Sequence, residues 1–306
     1  MTVQRALLST VAGAVLISFS GVWVKWAQVP PGVSAFYRVL FGGLFLLLAA
    51  IWHGELDSGP FKLHWRFCLC SLMYALDLYC YHVAILIIGP GLGTMLPNFQ
   101  VFILTAAGML LFAEPFRWMV VPALPMALGG LYLIVGLNAG PPVANQGVGL
   151  AAGFGAAFFY SAYLLLLRQI QGGQKRPGVF RVLLLVSFGS ALLLGLEIWL
   201  SGGSFRIPDM KSVMALVGLG FCSQGLGWVL ITNALPRLTP SVAGLLLLLQ
   251  PTLAFVWDVL IFRRPTTGLN WLGVGLALLG IYLGMGSQPS RPATAVQRPP
   301  TRAKNQ

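Results

Sequence analysis

The sequence predicts an all-α integral membrane protein whose ten transmembrane helices form two inverted five-helix repeats. Three observations carry this. Of the 306 residues, 57% are hydrophobic and 8% charged, with mean hydropathy +0.83, whereas a water-soluble domain carries about 25% charged residues. The apolar residues fall into ten runs, each near the ~20 residues that a helix needs to cross a bilayer. Finally, the two halves of the chain match each other at an offset of 150 residues.

The runs lie at roughly 6–27, 33–52, 65–88, 92–113, 118–137, 147–168, 180–200, 211–235, 241–262 and 269–286. In hydrocarbon the backbone must satisfy its own hydrogen bonds, which helices do within one segment. The runs are too long for barrel strands and lack their alternation. The first run is too long for the core of a cleaved signal, and nine more follow it. Pro30-Pro31-Gly32, Gly89-Pro90-Gly91, Pro141-Pro142 and Gly172-Gly173 mark tight joints. Only residues 53–64 and 169–179 form loops long enough to hold several charges. The segment 287–306 has Arg291, Arg298, Arg302 and Lys304, four prolines and no acid, the composition of a disordered cytoplasmic tail.

Basic residues near the run ends give the orientation. With the N-terminus inside, the cytoplasmic side receives Arg5, Lys62, Arg66, Arg117, Arg168, Lys175, Arg176, Arg181 and Arg237. The outer side receives Lys25, Arg38, Arg206, Lys211, Arg263 and Arg264. This bias, enlarged by the tail, predicts both termini in the cytoplasm of a cell with the chain in its inner membrane. The net charge of +12 is spread over run ends and tail and forms no basic stripe, which argues against nucleic acid. Cys68, Cys70, Cys80 and Cys222 sit in apolar runs without metal or disulfide spacing, so no metal or cofactor is expected.

Pro90, Gln100 and Pro115 answer Pro240, Gln250 and Pro265, and Leu110–Pro115 (LLFAEP) lies over Leu260–Pro265 (LIFRRP). Gly130, Tyr132, Leu133 and Gly136 match Gly280, Tyr282, Leu283 and Gly286, and Ala84 matches Ala234. The predicted units are residues 1–138 and 139–286. Each holds five spans, an odd number, so the second must enter the membrane inverted. Inverted repeats build alternating-access carriers with a binding site near the bilayer midplane between the halves.

The run Ala35–Leu48 (AFYRVLFGGLFLLL), the Glu114-Pro115 end of span four and the glycine-rich Gly129–Gly136 resemble the EamA-type members of the drug/metabolite transporter superfamily. The resemblance extends from about Ala6 to Gly286. It implies a carrier exporting amino acids or other small metabolites on a proton or substrate gradient. Arg263-Arg264-Pro265 departs from the family, which usually has an acid in that turn, and puts a coupling acid in the second half in doubt.

Polar side chains in hydrocarbon are costly and tend to face a bundle interior or a cavity. Tyr74, Asp77, Tyr81 and Ala84 share one face of span three at 3-4-3 spacing. There Asp77 can bind an ammonium or carry a proton, or simply tie helices together. His82, one position off that face, suits a proton relay or ordinary packing. Gln100 and Gln250 are repeat-matched amides, each able to donate and accept toward a zwitterion or to join helices. Asn98 beside Pro97 can line the same path. Gln224, Trp228, Trp23, Tyr160 and Tyr163 form an aromatic-rich candidate wall. Lys25 and Arg38 lie nearer span ends, where Lys25 can snorkel and Arg38 can orient span two or form an external gate. Asp258 can pair with Arg263 or Arg264, or serve as a second proton-coupling acid. Gly149/Gly153 and Gly280/Gly284 have the spacing of close helix packing, within a monomer or across a homodimer.

The favoured function is a secondary transporter of small neutral or zwitterionic metabolites. A nucleotide-sugar or phosphate-ester exchanger would call for several cavity cations, and the span centres have essentially none. A membrane-embedded enzyme would need a catalytic cluster, and the sequence has no HExxH and no paired intramembrane aspartates.

Overall fold

The computed structural model describes residues 1–56, 65–115, 118–135, 145–173 and 177–286, apart from the side chains of 89–92. The tail 287–306, the Pro141-Pro142 joint, Gly136, Lys62, Arg117, Lys175 and Arg176 lie outside the described residues. Among those described there are helices and no strands. The helices are α1 (Val3–Ser18), α2 (Ser20–Ala27), α3 (Pro31–Trp52), α4 (Trp65–Met95), α5 (Gln100–Phe112), α6 (Val120–Val135), α7 (Gln146–Gly172), α8 (Val179–Leu200), α9 (Met210–Leu219), α10 (Trp228–Ala234), α11 (Pro240–Leu247), α12 (Leu249–Phe262) and α13 (Gly268–Gly286). They give nine segments long and apolar enough to cross a membrane, plus the shorter α6. Leu8, Leu48, Leu86, Leu110, Leu192 and Trp199 are exposed, an exterior that suits acyl chains and not water. The protein is a multi-pass membrane protein.

The run expected at 6–27 is broken. The hydroxyls of Ser18 and Ser20 donate to the carbonyls of Val15 and Ile17 at 2.6 and 2.5 Å, a local competition that bends helices, and the α-helix is interrupted at Phe19. Gln28 ends α2 in a left-handed conformation at φ 51°, and Pro31 starts α3 where its missing N–H costs nothing. The joint expected at Gly89-Pro90-Gly91 falls between the membrane-length segments Trp65–Ile88 and Gly93–Phe112, and the chain doubles back there: a Cβ on Gly93 would lie 2.8 Å from the Ile85 main chain. The eighth span is not uniformly α-helical. Residues Gly220–Gly227 form a π-helical stretch, where Gly227 packs on Ile17 and Gly13 of α1 and Gly220 on Phe41 and Gly42 of α3.

The halves are related by a two-fold axis visible in paired contacts. Gly130 on α6 lies against Gly273 and Ala277 of α13, and Gly280 on α13 lies against Ala123 and Ala127 of α6. Each contact becomes the other when residue numbers shift by 150, as a two-fold relation requires. The Tyr74 hydroxyl donates to Gln224 Oε1 at 2.8 Å, a bond between two residues that are themselves 150 apart. Helices α5 and α12 close alike, on Ala113 at φ 49° and Arg263 at φ 52°. The GxxxG glycines pack within the chain: Gly149 on Ile87 and Ile88, Gly153 on Leu96, and Gly284 on Leu245.

Candidate functional site

The spacing of span three predicts the stripe that lines the site. Residues 74, 77 and 81 fall on one face of α4, and that face turns toward a cavity of about 420 Å³ between the halves, within the size range of small-molecule sites. Tyr74, Tyr160 and Trp228 form its aromatic floor. Tyr74 and Trp228 meet edge-on with centroids 5.9 Å apart, and Tyr160 and Trp228 at 6.2 Å. Asp77, Tyr81, Asn98, Arg38 and Gln250 line the walls. Lys25, Asp258 and Arg264 stand at the exposed mouth.

The cavity therefore contains Asp77, Tyr81, Asn98, Tyr160, Trp228, Gln250 and Asp258. The other residues expected at the site lie elsewhere. Tyr163 is fully buried and stacks on the back of Tyr74 at 4.5 Å. Gln224 is fully buried and holds Tyr74, while its Nε2 donates to Ser187 Oγ at 3.0 Å. Gln100 is buried away from the cavity, and the Ser161 hydroxyl reaches its main-chain carbonyl at 3.4 Å. Trp23 packs with Ala215, Leu216 and Leu219 beside Gly218. His82 faces a second cavity, against α8.

Arg38 corrects the expectation that the cavity has no cation. It lies seven residues into α3, about 10 Å deep at 1.5 Å per residue, and lines the cavity with Asp77. That depth, counted from Pro31, was the signal in the sequence. No ion pair within 4.0 Å joins Arg38 to Asp77 among the described residues. Asp77 is 8% exposed, and Arg38 Nε and Gln250 Nε2 are buried donors without a protein partner. Inside the charged mouth, the arrangement offers the Asp77 carboxylate, the Arg38 guanidinium, the Gln250 amide donor and phenols to a ligand.

Lys25 does not simply snorkel. Its ammonium pairs with the Asp258 carboxylate, which Arg264 approaches at 3.7 Å, while Arg263 provides the left-handed cap. The contact ties α2 of the first half to α12 of the second. Beneath it Trp257 Nε1 donates to Ser18 Oγ at 2.8 Å, and Phe19 stacks on Trp257 at 4.3 Å. The opposite end is joined differently. Ser241 Oγ donates to the buried Glu114 carboxylate at 2.9 Å. Arg168 Nε reaches the carbonyls of Leu235 and Leu238 at 3.3 and 3.2 Å, with its guanidinium over Phe112.

The model of the EamA-like transporter family matches residues 4–136 and again 147–285. The chain belongs to the EamA-like transporter family. Its two matches cover the two halves, so this transporter repeats one five-helix unit. Phosphoenolpyruvate/phosphate translocator 3, chloroplastic, from Oryza sativa subsp. japonica is 26% identical over 189 residues, 56% of this chain and 46% of that protein. The transporter thus spans about half the length of that relative. A crystal structure of a protein at 18% identity superposes with a TM-score of 0.78 over 91% of this chain and 97% of that one, a likeness of fold.

Proposed function

We propose that the transporter carries a small zwitterionic metabolite of amino-acid type by alternating access, with Asp77 as the proton-coupling group. The observation that supports this is the unpaired coexistence of Arg38 and Asp77 in one cavity. A ligand carboxylate would face Arg38, a guanidinium fork suited to planar anions, and a ligand ammonium would face Asp77. Gln250, Asn98 and Tyr81 would complete the polar contacts, and Tyr160 and Trp228 would receive an apolar side chain. Protonation of Asp77 would release the ammonium, linking substrate exit to proton entry. In this reading the chain is a carrier and not an enzyme, sits in the inner membrane with both termini cytoplasmic, and exports its substrate. Residues 1–138 and 139–286 are its repeats, and it works as a monomer or homodimer.

A phosphate-ester exchanger is the second reading, favoured by Arg38 in the cavity and by the name of the rice relative. The experiment is flux in proteoliposomes of labelled neutral, aromatic and basic amino acids, with phosphoenolpyruvate counterflow in parallel, each with and without a pH gradient. Saturable amino-acid flux that follows the gradient and becomes uncoupled in Asp77→Asn is expected. Counterflow of phosphoenolpyruvate without amino-acid flux would replace the first reading by the second.

A further inference from the structure

A second cavity, of about 760 Å³, lies on the flank of the bundle. Tyr79, His82, Val83 and Leu86 form one wall, a single stripe of α4 at helical spacing; Leu194, Glu197, Ile198 and Ser201 form the other, the corresponding stripe of α8. The two helices touch lower down, where Ser190 Oγ donates to the Ser71 carbonyl at 3.0 Å and Gly189 lies against Ser71, and they diverge from there. The chain at Gln28–Val33 and Gly203–Pro208, with Arg206, closes the top. Tyr79 and Leu86 are 44% and 75% exposed, so the groove is open sideways along a face that is otherwise apolar.

Two charges in this groove lack a partner. Glu197 is half-buried in the last turn of α8, where the negative end of the helix dipole opposes a carboxylate. Arg206 is exposed at the rim. Neither forms an ion pair among the described residues. An apolar slot that opens laterally, with an acid and a base at one end, complements a molecule with an acyl chain, an ammonium and a phosphate.

We propose that this groove is a binding site for a glycerophospholipid with a primary ammonium headgroup, of the phosphatidylethanolamine type. One acyl chain lies between the α4 and α8 stripes against Val83, Leu86, Leu194 and Ile198. The ammonium donates to Glu197, and the phosphate meets Arg206, a charge-assisted pairing at each end. Because α4 also bears Asp77, the lipid braces the helix that lines the transport cavity. A quaternary ammonium has no N–H to donate, so phosphatidylcholine is discriminated against at Glu197.

The test is native mass spectrometry of the full chain with phosphatidylethanolamine, phosphatidylcholine and phosphatidylglycerol of identical acyl chains at equal concentration. The ethanolamine lipid should be retained at least threefold over the choline lipid. Glu197→Gln, near-isosteric and therefore foldable, should erase that preference. Leu194→Trp, which fills the slot, should lower retention of all three, with folding checked by the melting temperature. Soluble glycerophosphoethanolamine should not compete. Equal retention of the ethanolamine and choline lipids, preference for the glycerol lipid, an unchanged preference in Glu197→Gln, or competition by the soluble headgroup would each overturn the proposal.

Discussion

Replacing Lys25 by alanine removes the cation that ties α2 to α12 over the mouth of the central cavity. The Lys25 and Asp258 side chains are 51% and 23% exposed, so water and salt screen the pair, and measured values for such pairs fall at about 0.2–1 kcal/mol. Arg264, 3.7 Å from the same carboxylate, takes up part of the loss, which places the effect near 0.5 kcal/mol. At ~1.4 kcal/mol per tenfold, that is roughly a twofold shift toward an open mouth. The assay is the rate at which a water-soluble maleimide labels Asn98→Cys, with Cys68, Cys70, Cys80 and Cys222 replaced by alanine. Lys25→Ala should raise the rate about twofold, and Asp258→Asn, which also strips Arg264 of its partner, at least as much. The double variant should gain no more than Asp258→Asn alone, because that change already removes the Lys25 contact. The differences should fade at about 1 M salt, where the Debye length is ~3 Å. Effects that simply add, or that persist in high salt, would refute the reasoning.

Further expectations rest on packing, on a buried hydrogen bond and on the cavity's charge. A Cβ on Gly280 would lie 2.6 and 2.7 Å from main-chain atoms of Ala127 and Ala123, so Gly280→Ala, and Gly130→Ala at the related position, should each cost about 1–3 kcal/mol and lower the melting temperature. The neighbouring Gly129 and the nearby Gly275 face open space, and alanine there should be neutral or slightly stabilising. Tyr74→Phe strips the donor from Gln224 Oε1 in a fully buried site, a loss of about 1–3 kcal/mol, readable by thermal unfolding. Arg38→Gln should raise the KM for a zwitterionic substrate at least tenfold while leaving the melting temperature nearly unchanged, since its Nε has no protein partner to lose.

The spans and the two-fold relation were legible because proline, glycine and glutamine at a fixed offset punctuate an otherwise uniform composition. Asp77, Tyr81 and Tyr74 could be assigned to one face because helical spacing alone determines it. Phe19 could not be located as a break: two serines near a helix centre are unremarkable until their hydroxyls are seen bonded backward. The π-helical Gly220–Gly227 stretch depends on neighbours from α1 and α3, which no local pattern contains. Gln100 and Gln250 are the clearest case. Spacing makes them equivalent, yet Gln250 lines the cavity and Gln100 is buried behind it, because different residues surround equivalent positions in the two halves.

The matched closures of α5 and α12 differ in one respect that bears on the resting state. Gly108 and Glu114 occupy the positions that Asp258 and Arg264 hold in the second half, so one closure buries an acid, held by Ser241, against glycine, and the other displays an acid–base pair. When two halves exchange roles, every interaction they share contributes equally to both end states and cancels from the difference between them. Only mismatched positions can bias the equilibrium. The substitutions that separate the two repeats, more than the residues they have in common, therefore decide which side of the membrane the empty protein faces.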